Sequence, residues 1–130
     1  MKKIMIVDDD PNIVELVKRI LELEGYESIG AYSAKEALDI LDNSWKELDI
    51  IICDYMMPEM DGLDFVKNVR KNPLYDNIHI IMLTAIDTFD IIKQSMMLGI
   101  KDYIIKPFDP QEIIATIEKI KEKGIKNLEK

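Results

Sequence analysis

Short apolar runs alternate with longer amphipathic segments along the whole chain. The third run, Leu48–Cys53, is rich in β-branched residues and almost uninterrupted. Such a run is typical of a strand that is buried on both faces of a sheet. The pattern predicts five strands, at Lys2–Asp8, Tyr26–Ala31, Leu48–Cys53, Ile78–Leu83 and Asp102–Lys106.

The segments between these runs carry helical periodicity together with helix start and stop signals. Asp10 and Pro11 suit the N-cap and first position of a helix that Gly25 would close. Two stretches match the pattern of a capping box and predict helix starts, at Ser33–Glu36 and Asp109–Glu112. The predicted helices are 10–25, 33–42, 62–71, 87–98 and one from Asp109 onward, and the inward face of the first is predicted as Ile13, Leu16, Val17, Ile20 and Leu21.

Helices between buried strands indicate right-handed crossovers, and therefore an α/β fold with a parallel sheet covered by helices on both faces. At 130 residues the chain is the size of one domain and can bury a core. We expect this domain to comprise residues 1–123. Residues 124–130 show no core pattern and are predicted to be a C-terminal tail or the start of a linker.

Charge and composition exclude several classes of protein. The formal net charge of -8 argues against direct binding to nucleic acid phosphates. No stretch approaches the roughly 20 apolar residues that a membrane span needs, and the N-terminus lacks the pattern of a secretory leader. We therefore expect a cytoplasmic protein without membrane contact. Its one cysteine, Cys53, cannot form an internal disulfide and is predicted to be a buried packing residue.

Four of the predicted strands end in polar or charged side chains. These are Asp8 and Asp9, then Asp54, Thr84 and Lys106. The carboxyl ends of parallel strands meet at one edge of the sheet, which is where such folds place their sites. Like charges about 4 Å apart repel by roughly 4 kcal/mol at an effective dielectric constant of 20, so the carboxylates need a cation. Hard oxygen ligands favour Mg²⁺.

A metal, an ammonium and a hydroxyl around a third carboxylate form a site for a phosphoryl group. Lys106 and Thr84 would contact its oxygens, and Asp54 is placed for in-line attack on phosphorus. Each residue alone also has a purely structural interpretation. The acidic triplet 8–10 could be helix caps, Thr84 a strand-end hydroxyl and Lys106 a surface lysine. Their joint position at strand ends favours the site.

These residues stand in motifs that resemble the receiver domain of two-component response regulators. The resemblance covers residues 2–123 and implies a flavodoxin-like doubly wound (βα)5 fold, with strand order 2-1-3-4-5. The matching pieces are Ile6-Val7-Asp8-Asp9-Asp10, Asp54-Tyr55-Met56-Met57-Pro58-Glu59-Met60-Asp61-Gly62, Leu83-Thr84-Ala85 and Tyr103-Ile104-Ile105-Lys106-Pro107-Phe108.

The resemblance implies a role for each acidic residue of the site. Asp54 would be the phosphoacceptor, loaded from a phosphohistidine donor. Asp8, Asp9 and Asp54 would bind Mg²⁺, or Mn²⁺ as a substitute, together with the backbone carbonyl of Met56. Asp61 and Gly62 are interpreted as turn and helix-start residues.

The resemblance also implies a conformational switch. Thr84 and Lys106 would bind the phosphoryl group, and Thr84 with Tyr103 would change the surface of the fourth helix, fifth strand and fifth helix. The expected partners are a sensor histidine kinase or phosphotransfer protein and, through that surface, a downstream protein or a second copy of the chain. Such a domain is a signalling module rather than an enzyme, since it promotes only its own phosphorylation and dephosphorylation. A cis bond is expected at Lys106-Pro107.

Two other functions use similar residues. A haloacid dehalogenase-like Mg²⁺ phosphatase also has a strand-end aspartate, but it needs an acid two residues later, where this chain has Met56. A flavin-binding carrier on the same fold needs a phosphate-binding loop after the first strand, and the carboxylates of residues 8–10 would repel phosphate there. Turnover of a phosphate ester, or a yellow colour, would identify these alternatives.

Overall fold

The computed structural model describes residues 1–85 and 89–128, with side chains to residue 124. The described residues form a five-stranded parallel sheet in the order β2-β1-β3-β4-β5, which is the order expected from the resemblance. The strands are β1 (Lys3–Val7), β2 (Ser28–Ala31), β3 (Leu48–Cys53), β4 (His79–Thr84) and β5 (Asp102–Ile105). The α-helices are α1 (Pro11–Leu23), α2 (Ala34–Ser44), α3 (Gly62–Arg70), α4 (Phe89–Met97) and α5 (Pro110–Leu128), with short 3-10 helices at Trp45–Glu47 and Pro73–Tyr75.

The sheet is buried on both faces, as its uninterrupted apolar runs predict. Alternate residues of the central strands point to opposite sides. On β3, for example, Ile51 and Cys53 join the cluster that α2 and α3 cover. Ile50 and Ile52 join the cluster that α1 and α5 cover. Cys53 is fully buried, which confirms its prediction as a packing residue.

Side-chain caps begin the helices where the sequence predicts them. Asp10 Oδ1 accepts a hydrogen bond from the backbone N–H of Asn12 at 2.9 Å, and Ser33 Oγ accepts one from Glu36 at 3.1 Å. At α5, Glu112 Oε1 accepts the N–H of Asp109 at 3.2 Å, while Asp109 Oδ1 accepts the N–H of Gln111 at 2.9 Å rather than that of Glu112. These bonds satisfy N–H groups that have no partner inside the helix.

Three details differ from the sequence prediction. β2 begins at Ser28 rather than Tyr26, because the N–H of Tyr26 donates to Leu21 at 2.9 Å and completes the turn after α1 around Gly25, whose φ is 83°. The inward face of α1 includes the buried Val14, whereas Leu16 is 48% exposed. Finally, α5 continues past residue 123 to Leu128. The predicted start of the fourth helix, at Asp87, lies outside the described residues.

Candidate functional site

The carboxyl ends of four strands form one edge of the sheet. Asp8 and Asp54 directly follow β1 and β3, whose final residues Val7 and Cys53 are in register. Thr84 is the last residue of β4 and is in register with Ile105, the last residue of β5. Cys53 pairs with Met82, so β4 extends two residues further than β3, and all four strand ends lie at the same edge of the sheet. The order of connections reverses between β1 and β3, and doubly wound folds place their sites at this point.

Three carboxylates converge at this edge. One oxygen from each of Asp8, Asp9 and Asp54 lies within 4.8 Å of the others. Asp8 and Asp54 are buried, at 2% and 7% exposure, while Asp9 is exposed. Asp8 Oδ1 accepts the N–H of Asp10 at 2.9 Å, which fixes the orientation of this carboxylate. The arrangement offers hard oxygen ligands and an open side, which suits a divalent cation that keeps some of its waters.

The ammonium group of Lys106 contacts both of the buried carboxylates, Asp8 and Asp54. Its Nζ lies 2.8 Å from Asp8 Oδ2 and 3.6 Å from Asp54 Oδ1. Burial by itself would lower the pKa of Lys106, but the hydrogen bond to Asp8 and the charge of Asp54 outweigh burial and raise it above its usual value. The lysine is therefore a fixed positive charge beside Asp54.

Asp54 holds a proton more tightly than an ordinary aspartate. Burial and the neighbouring charge of Asp8 raise the pKa of Asp54 to about 6, although Lys106 acts in the opposite direction. The carboxylate is thus ionised at neutral pH, yet poorly solvated and surrounded by more negative than positive charge. A cation that binds beside this carboxylate would therefore stabilise its ionised form.

Thr84 and Tyr103 lie on the two strands next to the acidic cluster. Thr84 is buried, with 1% exposure, and its carbonyl accepts the N–H of Lys106 at 2.9 Å. Tyr103 is half-buried and packs against the cluster that α2 and α3 cover. The peptide bond Lys106-Pro107 is cis, as expected. The structure therefore brings Thr84 and Lys106 to the predicted edge, with Tyr103 on β5, which β4 separates from β3.

The loop from β3 to α3 carries the remaining predicted residue. Met56 lies in this loop and its side chain is 61% exposed. Asp61 is the N-cap of α3, since its Oδ1 accepts the N–H of Asp64 at 2.9 Å, which confirms its helix-start role. Gly62 lies in close contact with the backbone of Asp54, which the sequence patterns did not predict. A glycine at the first position of the helix that follows the site aspartate was the available signal.

Residues 4–118 match the family model of the response regulator receiver domain. The chain belongs to this family. Receiver domains are phosphorylatable signalling switches, and the matches support neither a phosphatase nor a flavin carrier. Within the described residues, none of the helices is apolar and long enough to span a membrane.

Individual relatives agree with this assignment. The chain is 38% identical over 120 residues to the transcriptional regulatory protein CpxR of Escherichia coli K12, a match that covers 92% of this chain and 49% of CpxR. It is 37% identical to the response regulator SaeR of Staphylococcus aureus USA300, covering 92% of this chain and 50% of SaeR. The chain thus spans about half the length of these curated relatives.

Solved structures of response regulators have the same fold as this chain. The chemotaxis protein CheY4 of Vibrio cholerae superimposes with a TM-score of 0.86 at 32% identity, covering 92% of this chain and 98% of CheY4. A CheY-like receiver domain protein of Methanospirillum hungatei JF-1 gives a TM-score of 0.86 at 33% identity, covering 97% and 98% of the two chains. These matches extend over a whole receiver domain in each case.

Proposed function

We propose that Asp54 is the phosphoacceptor of this receiver domain and that a phosphohistidine on a partner protein is the donor. The observation that carries the proposal is the position of the Asp54 carboxylate, which is buried at a strand end between Asp8, Asp9 and Lys106. Only there does the described part of the chain combine a nucleophilic oxygen with clustered carboxylates and a fixed ammonium.

The reaction is a transfer of one phosphoryl group. A carboxylate oxygen of Asp54 forms a bond to phosphorus while the phosphorus–nitrogen bond of phosphohistidine breaks, and the departing imidazole keeps the electron pair and takes up a proton. The product is an acyl phosphate. Because the pKa of Asp54 is about 6, most of the carboxylate is ionised near neutral pH and ready to attack.

The acidic cluster fits a resident Mg²⁺. Three carboxylate oxygens within 4.8 Å face one lysine, so the cluster retains excess negative charge and offers only hard ligands. We assign Asp8, Asp9 and Asp54 as the ligands, with the backbone carbonyl of Met56, and Mn²⁺ as a substitute cation. When bound, the cation supplies charge neutralisation for the phosphoryl oxygens.

Lys106 and Thr84 are assigned to the phosphoryl group itself. The Lys106 ammonium, 3.6 Å from Asp54 Oδ1, offsets charge that arrives on phosphorus. The Thr84 hydroxyl would hydrogen-bond a phosphoryl oxygen. Its movement toward that oxygen would open space into which Tyr103 turns, and the surface of α4, β5 and α5 would change with it.

The remaining assignments follow from a signalling role. The chemistry is limited to formation and loss of the domain's own acyl phosphate, so the domain does not turn over an external substrate. A sensor histidine kinase or phosphotransfer protein is the donor, and a downstream protein or a second copy binds the α4, β5 and α5 surface. We propose a cytoplasmic location and no direct contact with nucleic acid or membrane. We also propose a domain of residues 1–123, with residues from 124 onward, where α5 continues to Leu128, as a tail or the start of a linker.

Incubation with a small phosphodonor and Mg²⁺, followed by intact-mass measurement, tests the phosphoacceptor. The wild-type chain should gain the mass of one phosphoryl group, because Asp54 is poised for attack. The Asp54→Ala variant should gain none. As a matched control, Asp39→Ala removes an exposed carboxylate from α2 and should be phosphorylated like the wild type.

Two results would contradict the proposal. One is a wild-type chain that never gains a phosphoryl group. The other is an Asp54→Ala variant that gains it as readily as the wild type, which would place the acceptor elsewhere.

A further inference from the structure

The first residue of α3 lies directly on the backbone of Asp54. Gly62 is buried, and a Cβ at this position would be 2.3 Å from the carbonyl oxygen of Asp54 and 2.9 Å from the Cα of Tyr55. Both neighbours are backbone atoms, so no side-chain rotation can relieve the overlap. Ordinary contact of a Cβ begins near 3.4 Å, so a side chain here would force the two segments about 1 Å apart.

Both sides of this contact are firmly held. On one side, α3 buries Leu63, Phe65 and Val66 in the core. On the other, the N–H of Asp54 donates to the carbonyl of Val7 at 2.9 Å, which continues the pairing of β3 with β1. Because neither segment is free to move away, a displacement at Gly62 would pass into the strand end that carries the carboxylate.

The loop between them returns to the same point. The N–H of Gly62 donates to the carbonyl of Tyr55 at 2.7 Å, and the N–H of Met60 donates to Pro58 at 2.7 Å. Glu59 adopts a φ of 70°, in the left-handed region that residues other than glycine rarely occupy. The backbone from Asp54 to Gly62 is therefore a compact loop that is held by its own hydrogen bonds.

We propose that Gly62 is a positioning residue for phosphoryl transfer. Because Gly62 has no side chain, the start of α3 can pack directly against the backbone that carries the Asp54 carboxylate and hold it in place. Gly62 contacts no reacting atom. It sets the position of the backbone of residues 54–56, and through it the direction of the Asp54 side chain and of the next carbonyl groups. This inference rests on the proposed role of Asp54 as phosphoacceptor.

The test compares the initial phosphorylation rate of wild type and Gly62→Ala, with a small phosphodonor and saturating Mg²⁺. A misplacement of about 1 Å in a reacting group can cost about 100-fold in rate, so we expect a loss of at least about tenfold. The affinity for Mg²⁺, measured by calorimetry without phosphodonor, should also fall. Thermal unfolding without Mg²⁺ shows how much of each variant is folded.

Two control variants separate positioning from stability. Ile78→Ala creates a cavity at the opposite end of β4, away from the strand ends that carry the site, and should lower the melting temperature of the fold. At a temperature where it remains folded, its rate should stay within about twofold of wild type. Gly124→Ala adds a Cβ in open space on α5 and should change neither rate nor Mg²⁺ affinity.

The outcomes are distinct. Folded Gly62→Ala with wild-type rate and Mg²⁺ affinity overturns the positioning role while leaving the phosphoacceptor intact. A rate loss in Ile78→Ala as large as in Gly62→Ala also overturns it, since general destabilisation would then explain both. A wild-type chain that is never phosphorylated overturns the phosphoacceptor and this inference with it.

A measurement on the wild type covers the case in which Gly62→Ala does not fold. In amide NMR spectra, the Gly62 N–H should exchange slowly, because it bonds Tyr55, and its resonance should shift when Mg²⁺ is added. Rapid exchange of the Gly62 amide hydrogen, or a chemical shift that does not change when Mg²⁺ is added, would overturn the inference.

Discussion

At the scale of single residues, burial and charge act against each other at Asp54. The carboxylate is removed from water and lies beside Asp8, and these effects exceed the opposing attraction of Lys106, so its pKa is about 6 instead of the ordinary 3.8. The folded protein therefore binds this proton more tightly than the unfolded chain does. Folding is penalised once the proton is lost, which means that stability falls as pH rises from about 4 to about 6.

Replacing the carboxylate by an amide should remove this penalty. In the presence of a chelator at neutral pH, we expect Asp54→Asn to be more stable than wild type by roughly 1–2 kcal/mol, after allowance for solvent screening. Well below pH 3.8, the ordinary pKa of an aspartate, the two proteins should be equally stable, since wild-type Asp54 is then protonated in both states. Urea denaturation at several pH values measures the difference.

The exposed Asp39→Asn substitution is the control for this experiment. It should shift stability by no more than about 0.5 kcal/mol at any of these pH values. An Asp54→Asn variant that is less stable than wild type at neutral pH would show that the Lys106 interaction outweighs the burial of the charge.

At the scale of elements, the helices differ in how firmly they are attached to the sheet. α3 buries five of its residues, including Phe65 and Val69. α4 buries only Ser95 among its residues, whose hydroxyl donates to the Ile91 carbonyl at 2.8 Å, while Phe89 and Met97 are each more than three-quarters exposed. Few buried apolar contacts mean a low free energy of local opening.

We therefore expect α4 to exchange its amide hydrogens faster than α3. Hydrogen exchange followed by mass spectrometry at neutral pH measures both helices in one experiment. The two peptides are suitably matched, because each helix has nine residues. Equal protection of α4 and α3 would show that α4 is held by more than its own buried contacts.

At the scale of the whole molecule, the site and the loosely attached helix lie on neighbouring elements. β4 ends at Thr84 and leads on to α4, while β5 places Tyr103 beside Met82 of β4. Lys119 of α5 reaches back to Asp102 at 3.0 Å, which ties α5 to β5. We therefore propose that a change at Thr84 reaches α4 through Tyr103, since α4 has little buried surface to resist a displacement.

This arrangement gives a prediction for Tyr103. Phosphorylated wild type should show large amide NMR shifts in α4 and β5 relative to the unphosphorylated form, because the aromatic ring changes position. Tyr103→Ala should be phosphorylated normally but show much smaller shifts there. Tyr103→Phe keeps the ring and should stay close to wild type. Equally large shifts in Tyr103→Ala would exclude the switch role.

Much of the fold follows from local patterns. The apolar run of β3 and the capping residues Asp10, Ser33 and Asp61 placed the elements correctly, because strand burial and helix caps are governed by neighbouring residues in the chain. The inward side of α1 was assigned less well. Val14 and Leu16 are both apolar, and the position of the sheet decides which of them is buried.

The sequence by itself determined the alternation of strands and helices, the family and the identity of the strand-end side chains. Only the tertiary structure decided that Lys106 bonds Asp8 more closely than Asp54, and that Gly62 lies on the backbone of Asp54. The physical reason is the range of the forces involved. Caps and periodicity act within a few residues, whereas distances between separate strands depend on how the whole sheet and its helices pack.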